Sequence, residues 1–236
     1  MTDIPTSGMT LYHGSDRIIE HPTFGVGNPR NDYGLGFYCT RSLELAKEWG
    51  TAEEKDGFAN EYLFDTEGLD VLDLGDGTYT ILHWLAILLE NRTFRISGDI
   101  APLAKEYLLE RFHVDCAERD VICGYRADDS YFSFANAFLN NALSLSRLEQ
   151  AMALGNLGEQ VVICSRDAFA RIVFNRAHHA EHSIYYPRRM TRDHEARDVY
   201  RTQVRPADLQ DEATVLPIMQ QDWRPDDERL RRIVSR

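Results

Sequence analysis

The chain has 236 residues, 43% of them apolar, and 26 basic against 38 acidic side chains give it a net charge of -12. That is enough for one large domain, or one domain with a small extension, around a core that needs no disulfide or structural metal. An acidic balance of this size excludes a general attraction to phosphate backbones and leaves nucleic-acid contact to local basic patches. The four cysteines, Cys39, Cys116, Cys123 and Cys164, show no Cys-x-x-Cys spacing and read as reduced, mostly buried thiols. The start, Met1-Thr2-Asp3-Ile4-Pro5, lacks the basic and apolar regions of a signal peptide. The longest apolar run, Ile81 to Leu89, is interrupted by His83 and is too short to span a bilayer. The expectation is a soluble, cytoplasmic protein with no membrane partner.

In chain order, Met9 to Tyr12 reads as a short strand entering His13-Gly14-Ser15, and Gly25 to Asp32 as a loop. Gly36 to Thr40 is a run of β-prone residues. Ser42 is placed to cap a helix over Leu43 to Trp49, with Glu44 in its first turn. Tyr62-Leu63-Phe64 and Val71-Leu72, parted by Glu67-Gly68, suggest a hairpin-like strand pair. Thr80 to Asn91 is apolar on nearly every face and predicts a buried helix. Ile100 to Phe112 has helical periodicity, Asp120 to Tyr125 is strand-like, and Ser130 to Leu139 and Ser146 to Leu154 read as helices, the last followed by Gly155. Gln160 to Cys164 predicts a strand and Asp167 to Val173 a short helix. Beyond Phe174 the composition changes: Arg176 to Arg236 holds 12 Arg, no Lys and 11 acidic residues. This part reads as a C-terminal extension, 176–236, packed on a domain formed by 9–175, with helical character near Thr191 to Tyr200.

Several motifs are set aside. Gly25-x-Gly27 and Gly34-x-Gly36 lack a third glycine and open no helix in a βαβ unit, so no dinucleotide fingerprint is present. There is no phosphate-binding Gly-x-x-x-x-Gly-Lys loop, no Gly-x-Ser-x-Gly elbow and no EF-hand spacing. His178, His179 and His182 lack a firm third ligand, and a solvated surface is favoured over a metal site. The five arginines between Arg188 and Arg201 alternate with Asp193, Glu195 and Asp198, the pattern of a solvated helix face laced with ion pairs.

What remains is four polar segments at strand ends: Leu11-Tyr12-His13-Gly14-Ser15, Asp32 to Thr40, Gly124-Tyr125-Arg126-Ala127-Asp128-Asp129-Ser130-Tyr131-Phe132, and Gly158-Glu159-Gln160-Val161-Val162-Ile163. Polarity of this kind at the ends of buried strands is unusual where packing is the only task. Taken one at a time, each has an ordinary explanation. A histidine after a strand is commonly a structural hydrogen-bonder, a tyrosine in a strand is commonly core, and Asp128-Asp129 suit a helix N-cap. In this order, however, the segments resemble the ADP-ribosyltransferase superfamily of the His-Tyr-Glu type. They are most similar to an uncharacterised bacterial, toxin-like branch whose members read "LYHGS", "DYGxGFYxT", "GYRADDSYF" and "LGEQ". The resemblance spans Leu11 to Phe174.

The resemblance implies an α+β fold with a split β-sheet core and flanking helices. It implies an enzyme that takes NAD as substrate and moves ADP-ribose to a macromolecular acceptor, protein or nucleic acid. Relatives often serve as toxins in toxin–antitoxin or phage-defence systems, so a cognate antitoxin is an implied partner. Cleaving the nicotinamide–ribose bond passes through an oxocarbenium-like state, which needs the ring held, the hydroxyls fixed and an acceptor group near the developing charge. On this basis His13 would bond a ribose hydroxyl and Gly14 would let backbone approach the carboxamide. Tyr38 would stack on the pyridinium, with Tyr33, Ser15 and Gly36 around it. The late strand supplies the group facing the cationic sugar, and both Glu159 and Gln160 qualify; alternation allows only one of them into the site. If it is Gln160, a neutral amide is a weaker partner. Arg126 would then pair with a cofactor phosphate and Asp128 act as base on the acceptor. The alternatives are an NAD glycohydrolase and a degenerate binding module.

Overall fold

A computed structural model describes residues 8–94, 96, 98–127, 132–154, 159–203 and 213–230. The elements run β1 (Gly8–Ser15), β2 (Phe37–Thr40), α1 (Leu43–Gly50), β3 (Gly57–Asp65), β4 (Val71–Asp73), α2 (Ile81–Asn91), α3 (Ile100–Arg111), β5 (Val121–Tyr125), α4 (Phe132–Leu139), α5 (Leu145–Leu154), β6 (Glu159–Ile163), α6 (Arg166–Phe169), β7 (Ile172–Ala180), α7 (His182–Gln203) and α8 (Val215–Gln220). The class is α+β, as expected.

The chain divides into two compact units. The first comprises Met1–Asp73, Asp115–Arg126 and Leu157–Arg192, and the second Leu74–Val114, Ala127–Asn156 and Asp193–Arg236. The first holds the whole sheet, which among the described residues has seven strands in the order β4-β5-β6-β2-β1-β3-β7. Only β4 and β5 run parallel; the other neighbours are antiparallel. One sheet face is a packed apolar layer of Leu11, Cys39, Phe64, Val121, Cys123, Val161 and Ile163, joined in the same cluster by Ala168 of α6.

Three sequence expectations are corrected. The hairpin over Glu61 to Leu74 does not exist: β3 pairs with β1 and β7, while β4 lies at the far edge of the sheet beside β5. The short β4 is fastened there by the Asp70 N–H donating to the Asp120 carboxylate at 2.8 Å and by Arg119 pairing with Asp70 at 2.9 Å. The helix expected over Asp167 to Val173 is only the single turn α6, and β7 follows it. The proposed boundary between 175 and 176 falls inside β7, an edge strand whose exposed, polar residues carry no apolar alternation to betray it. The ion-pair pattern of the Arg-rich segment is also redirected. Arg188 pairs with Glu44 at 2.8 Å, Arg192 pairs with Glu48 at 3.0 Å, and the Lys47 ammonium donates to the Tyr185 hydroxyl at 3.0 Å, so the start of α7 is clamped to α1.

Glu48 is buried and takes two bonds from Arg192, at 3.1 and 3.0 Å. Arg192→Ala is expected to cost about 3 kcal/mol, because it strands a carboxylate inside the α1–α7 contact. Urea unfolding checks this; Arg192→Ala combined with Glu48→Met should recover part of the loss, and a midpoint unchanged in Arg192→Ala would refute it.

The second unit is built from α2, α3, α4, α5, α8 and the end of α7. The run Ile81 to Leu89 is buried throughout, as its all-round apolarity predicts. Tyr107 of α3 donates to the Trp223 carbonyl at 2.5 Å, and Asn141 accepts from the Leu216 N–H at 2.9 Å, which ties the C-terminal residues into this unit. His83 accepts at Nδ1 from the Thr80 N–H at 3.0 Å, which requires a neutral ring, and burial pushes its pKa down from 6.5 to about 4. The unfolded chain binds the proton first, so stability is full above pH 6.5 and falls as pH drops toward 4. Between pH 7 and 4.5 the native chain should lose on the order of 2 kcal/mol more than His83→Gln does, measured by urea titration. Equal losses in the two proteins would refute this.

Candidate functional site

Strands β6, β2 and β1 are adjacent in the sheet, so three of the four segments singled out in the sequence lie side by side. Register sets their faces. Tyr12 pairs with Thr40, Thr40 with Gln160, and Tyr12 with Glu61. These residues share one face with Tyr38, opposite the apolar layer that contains Leu11, Cys39 and Val161. Gln160 therefore lies on the Tyr38 face and Glu159 on the other. Glu159 pairs with Arg41 at 3.0 Å, and burial, the largest influence on it, raises its pKa.

Gln160 is 7% exposed, and its Oε1 has no hydrogen-bond partner among the described residues. A buried amide oxygen left this way is costly unless something donates to it.

Strands β1 and β3 pair from Gly8↔Asp65 through Ser15↔Phe58, whereas β1 and β2 pair only at Tyr12↔Thr40. Past that point the two strands share no further ladder pair among the described residues. The Tyr38 carbonyl accepts from His13 Nδ1 at 2.7 Å. Because a carbonyl only accepts, Nδ1 carries the proton, and Nε2 of the neutral ring is an acceptor. Burial lowers the His13 pKa, which favours that neutral form, and the ring stacks on Phe37 at 4.3 Å.

His13 and Tyr38, expected to contact the ribose and the pyridinium of one cofactor end, do not face each other. Leu11 and Cys39 belong to the apolar layer, so alternation puts His13 on that side and Tyr38 on the opposite side. They meet at the edge of β2, through the ring nitrogen and the carbonyl. Nor is the Tyr38 hydroxyl available for chemistry: it donates to the Gly34 carbonyl at 2.7 Å and accepts from the Tyr33 N–H at 3.0 Å. Tyr38 thus pins the loop before β2. Tyr33 is buried and donates to the Tyr125 carbonyl at 2.7 Å, so it walls the site rather than reaching into it.

Gly14 has a different use from the one expected. A Cβ there would lie 2.1 Å from the Ala46 carbonyl oxygen and 2.7 Å from the Gly50 nitrogen. Its bareness admits α1 onto the sheet, on the Tyr38 face. Ser15 is occupied by its own loop, donating to the Arg17 carbonyl at 2.5 Å and accepting from Asn60 at 3.0 Å. At Gly36 a Cβ would meet Val162 at 2.5 Å, so this glycine serves strand contact. Asp128 and Gly158 lie outside the described residues. Arg126 places its guanidinium 4.1 Å from the centre of the Trp49 ring.

Two features escaped sequence reasoning. Trp49, the half-buried aromatic near the end of α1, stands beside Gly14; a Cβ on that glycine would approach the Trp49 Cβ to 2.9 Å. An aromatic next to a glycine at a helix end was the available signal. The second is the buried carboxylate of Glu61, held by Asn175, by Arg176 at 3.1 Å and by His178 at 2.6 Å. Burial pushes the Glu61 carboxyl up, but the bonds from His178, Arg176 and Asn175 outweigh it and leave the pKa lowered. His179 and His182 likewise both pair with Asp56, so carboxylates take these imidazoles, and no metal cluster is found among the described residues. No helix among the described residues is long and apolar enough to cross a membrane.

Comparison with protein families gives a match, covering residues 9–174, to the family described as "Protein of unknown function (DUF3990)". The chain belongs to this family. Curated proteins and solved structures gave no match. The family match begins in β1 and ends within β7, so it takes in β6, β2 and β1 together with Trp49 and Arg126, and leaves α7 outside.

Proposed function

We propose that this DUF3990 protein is an NAD-dependent transferase that moves ADP-ribose to a macromolecular acceptor, acting as a bacterial toxin or phage-defence effector in the cytoplasm, with a cognate antitoxin as partner. The observation that supports it most is Gln160: a buried amide oxygen without a donor among the described residues, on the same sheet face as Tyr38. A ribose hydroxyl is a fitting donor to that oxygen. The aromatic faces of Tyr38 and Trp49 suit a flat cationic ring.

In the reaction, the bond between ribose C1′ and the nicotinamide nitrogen breaks and its electron pair leaves with nicotinamide. A nucleophilic oxygen or nitrogen of the acceptor then bonds C1′ and gives up its proton. Gln160 Oε1 would stabilise the sugar cation through the hydroxyl it holds, more weakly than a carboxylate would. That neutrality favours the second reading, an NAD-binding module of low or no transferase activity. Incubating the protein with NAD and separate protein and RNA or DNA pools, followed by mass spectrometry, tests the proposal. A mass gain of one ADP-ribose on either pool supports transfer, free ADP-ribose alone supports the glycohydrolase, and NAD binding without nicotinamide release supports the module.

A further inference from the structure

The Arg126–Trp49 contact is more than surface decoration, because of what lies beneath it. β5 ends at Tyr125, immediately before Arg126, and the sheet order puts β6 and β2 between β5 and β1. Trp49 stands on α1, which packs over β1 on the face bared by Gly14, the same face as Tyr38. A guanidinium 4.1 Å from the Trp49 ring centre therefore reaches across the strands that carry Gln160 and Tyr38, on the face those side chains use. The partners are chemically matched: a planar, weakly hydrated cation stacks on the aromatic side chain with the strongest π face.

We propose that the Trp49 ring is a binding surface for planar cations, that Arg126 is its resident occupant, and that Arg126 forms a strap over the Gln160–Tyr38 face which a planar cationic ligand displaces in order to bind. This deepens the proposed function and rests on it for the natural ligand, the pyridinium ring of NAD. The strap itself rests on the arginine–tryptophan contact and the strand order. Ligand and strap compete for one aromatic face, so removing the guanidinium strengthens binding. A phosphate-pairing role for Arg126 gives the opposite sign.

The test uses the full chain and 1-methylnicotinamide, a pyridinium cation without ribose or phosphate. Trp84 and Trp223 are 1% and 6% exposed, so quenching by this solute reports Trp49. Arg126→Met, which keeps the stem and loses the planar charge, should bind the probe roughly tenfold more tightly than the native chain. Arg126→Lys should fall between them, and Trp49→Phe, which removes the reporting ring, should lose the quenching. Thermal unfolding is followed alongside; if the Met variant fails to fold, the Lys variant carries the same comparison. Equal or weaker binding after loss of the guanidinium, or no quenching in any protein, overturns the strap. Nicotinamide release from NAD, measured on the same proteins, separates the two claims. Release by the native chain without tighter probe binding in Arg126→Met leaves the transferase reading and overturns the strap. Tighter probe binding with no NAD bound or consumed supports the strap and removes NAD as its ligand.

Discussion

Gly57→Ala is expected to destabilise the sheet unit by about 3 kcal/mol or more, among the largest effects available to a single methyl group. A Cβ at Gly57 would lie 2.0 Å from the Gly50 carbonyl oxygen, and one at Gly50 would lie 2.7 Å from the Phe58 carbonyl oxygen. Gly14 makes the third member of this seam, with the Ala46 carbonyl in the way of its Cβ. The obstructing atoms are backbone, so no side-chain rotation relieves the clash; the end of α1 must lift off β1 and β3. Gly68, where a Cβ meets none of the described residues within 4 Å although φ is +73°, serves as the comparison, and alanine there should cost only about 1 kcal/mol. Urea midpoints decide: similar small losses at both positions would refute the close packing of α1. The seam also means that loss of activity in Gly14→Ala would report folding as much as ligand contact, so that variant is a poor probe of the site.

Gln160→Glu is expected to raise the rate of nicotinamide release from NAD by about tenfold at high pH, while Gln160→Ala lowers it by about a hundredfold. A carboxylate at this position would bond the ribose hydroxyl about twice as strongly as the amide and add charge opposite the sugar cation. Burial raises the pKa of a carboxyl placed there, and only the ionised form helps. The gain is therefore absent at low pH and grows as pH rises, a limb the native amide cannot produce. A Glu variant equal to the native chain at every pH, or an Ala variant with undiminished release, would contradict the assigned role.

What the sequence disclosed and what it withheld divide on physical lines. α2 was legible because an all-round apolar run of its length has one stable environment, a buried helix. β2, β5 and β6 were legible as short β-prone runs between turn signals. β7 was not, since an edge strand with Asn175, Arg176, His178 and His179 looks like a polar linker until β3 is beside it. The hairpin over Glu61 to Leu74 failed for the converse reason: nearness along the chain suggested pairing, while β4 finds its partner in β5. At the site, the residue types were readable and the faces were not. Alternation said that Glu159 and Gln160 must part, but choosing between them needed the register Thr40↔Gln160. The register Tyr12↔Thr40 separated His13 from Tyr38, which no motif could show. Trp49 and the Glu61 cluster depend on contacts between α1 and β1 and between β3 and β7, distant segments with no shared pattern.

The claim on which the account turns is that the sheet face carrying Tyr38 and Gln160 holds the nicotinamide end of NAD. Calorimetric titration of NAD into the native chain and into Gln160→Ala, with circular dichroism to establish that both are folded, addresses it most directly. The account predicts saturable binding by the native chain and affinity lower by about three- to tenfold in the variant, the worth of one hydrogen bond. Native protein that takes up no NAD at millimolar concentration, or a variant that binds it equally well, would contradict it.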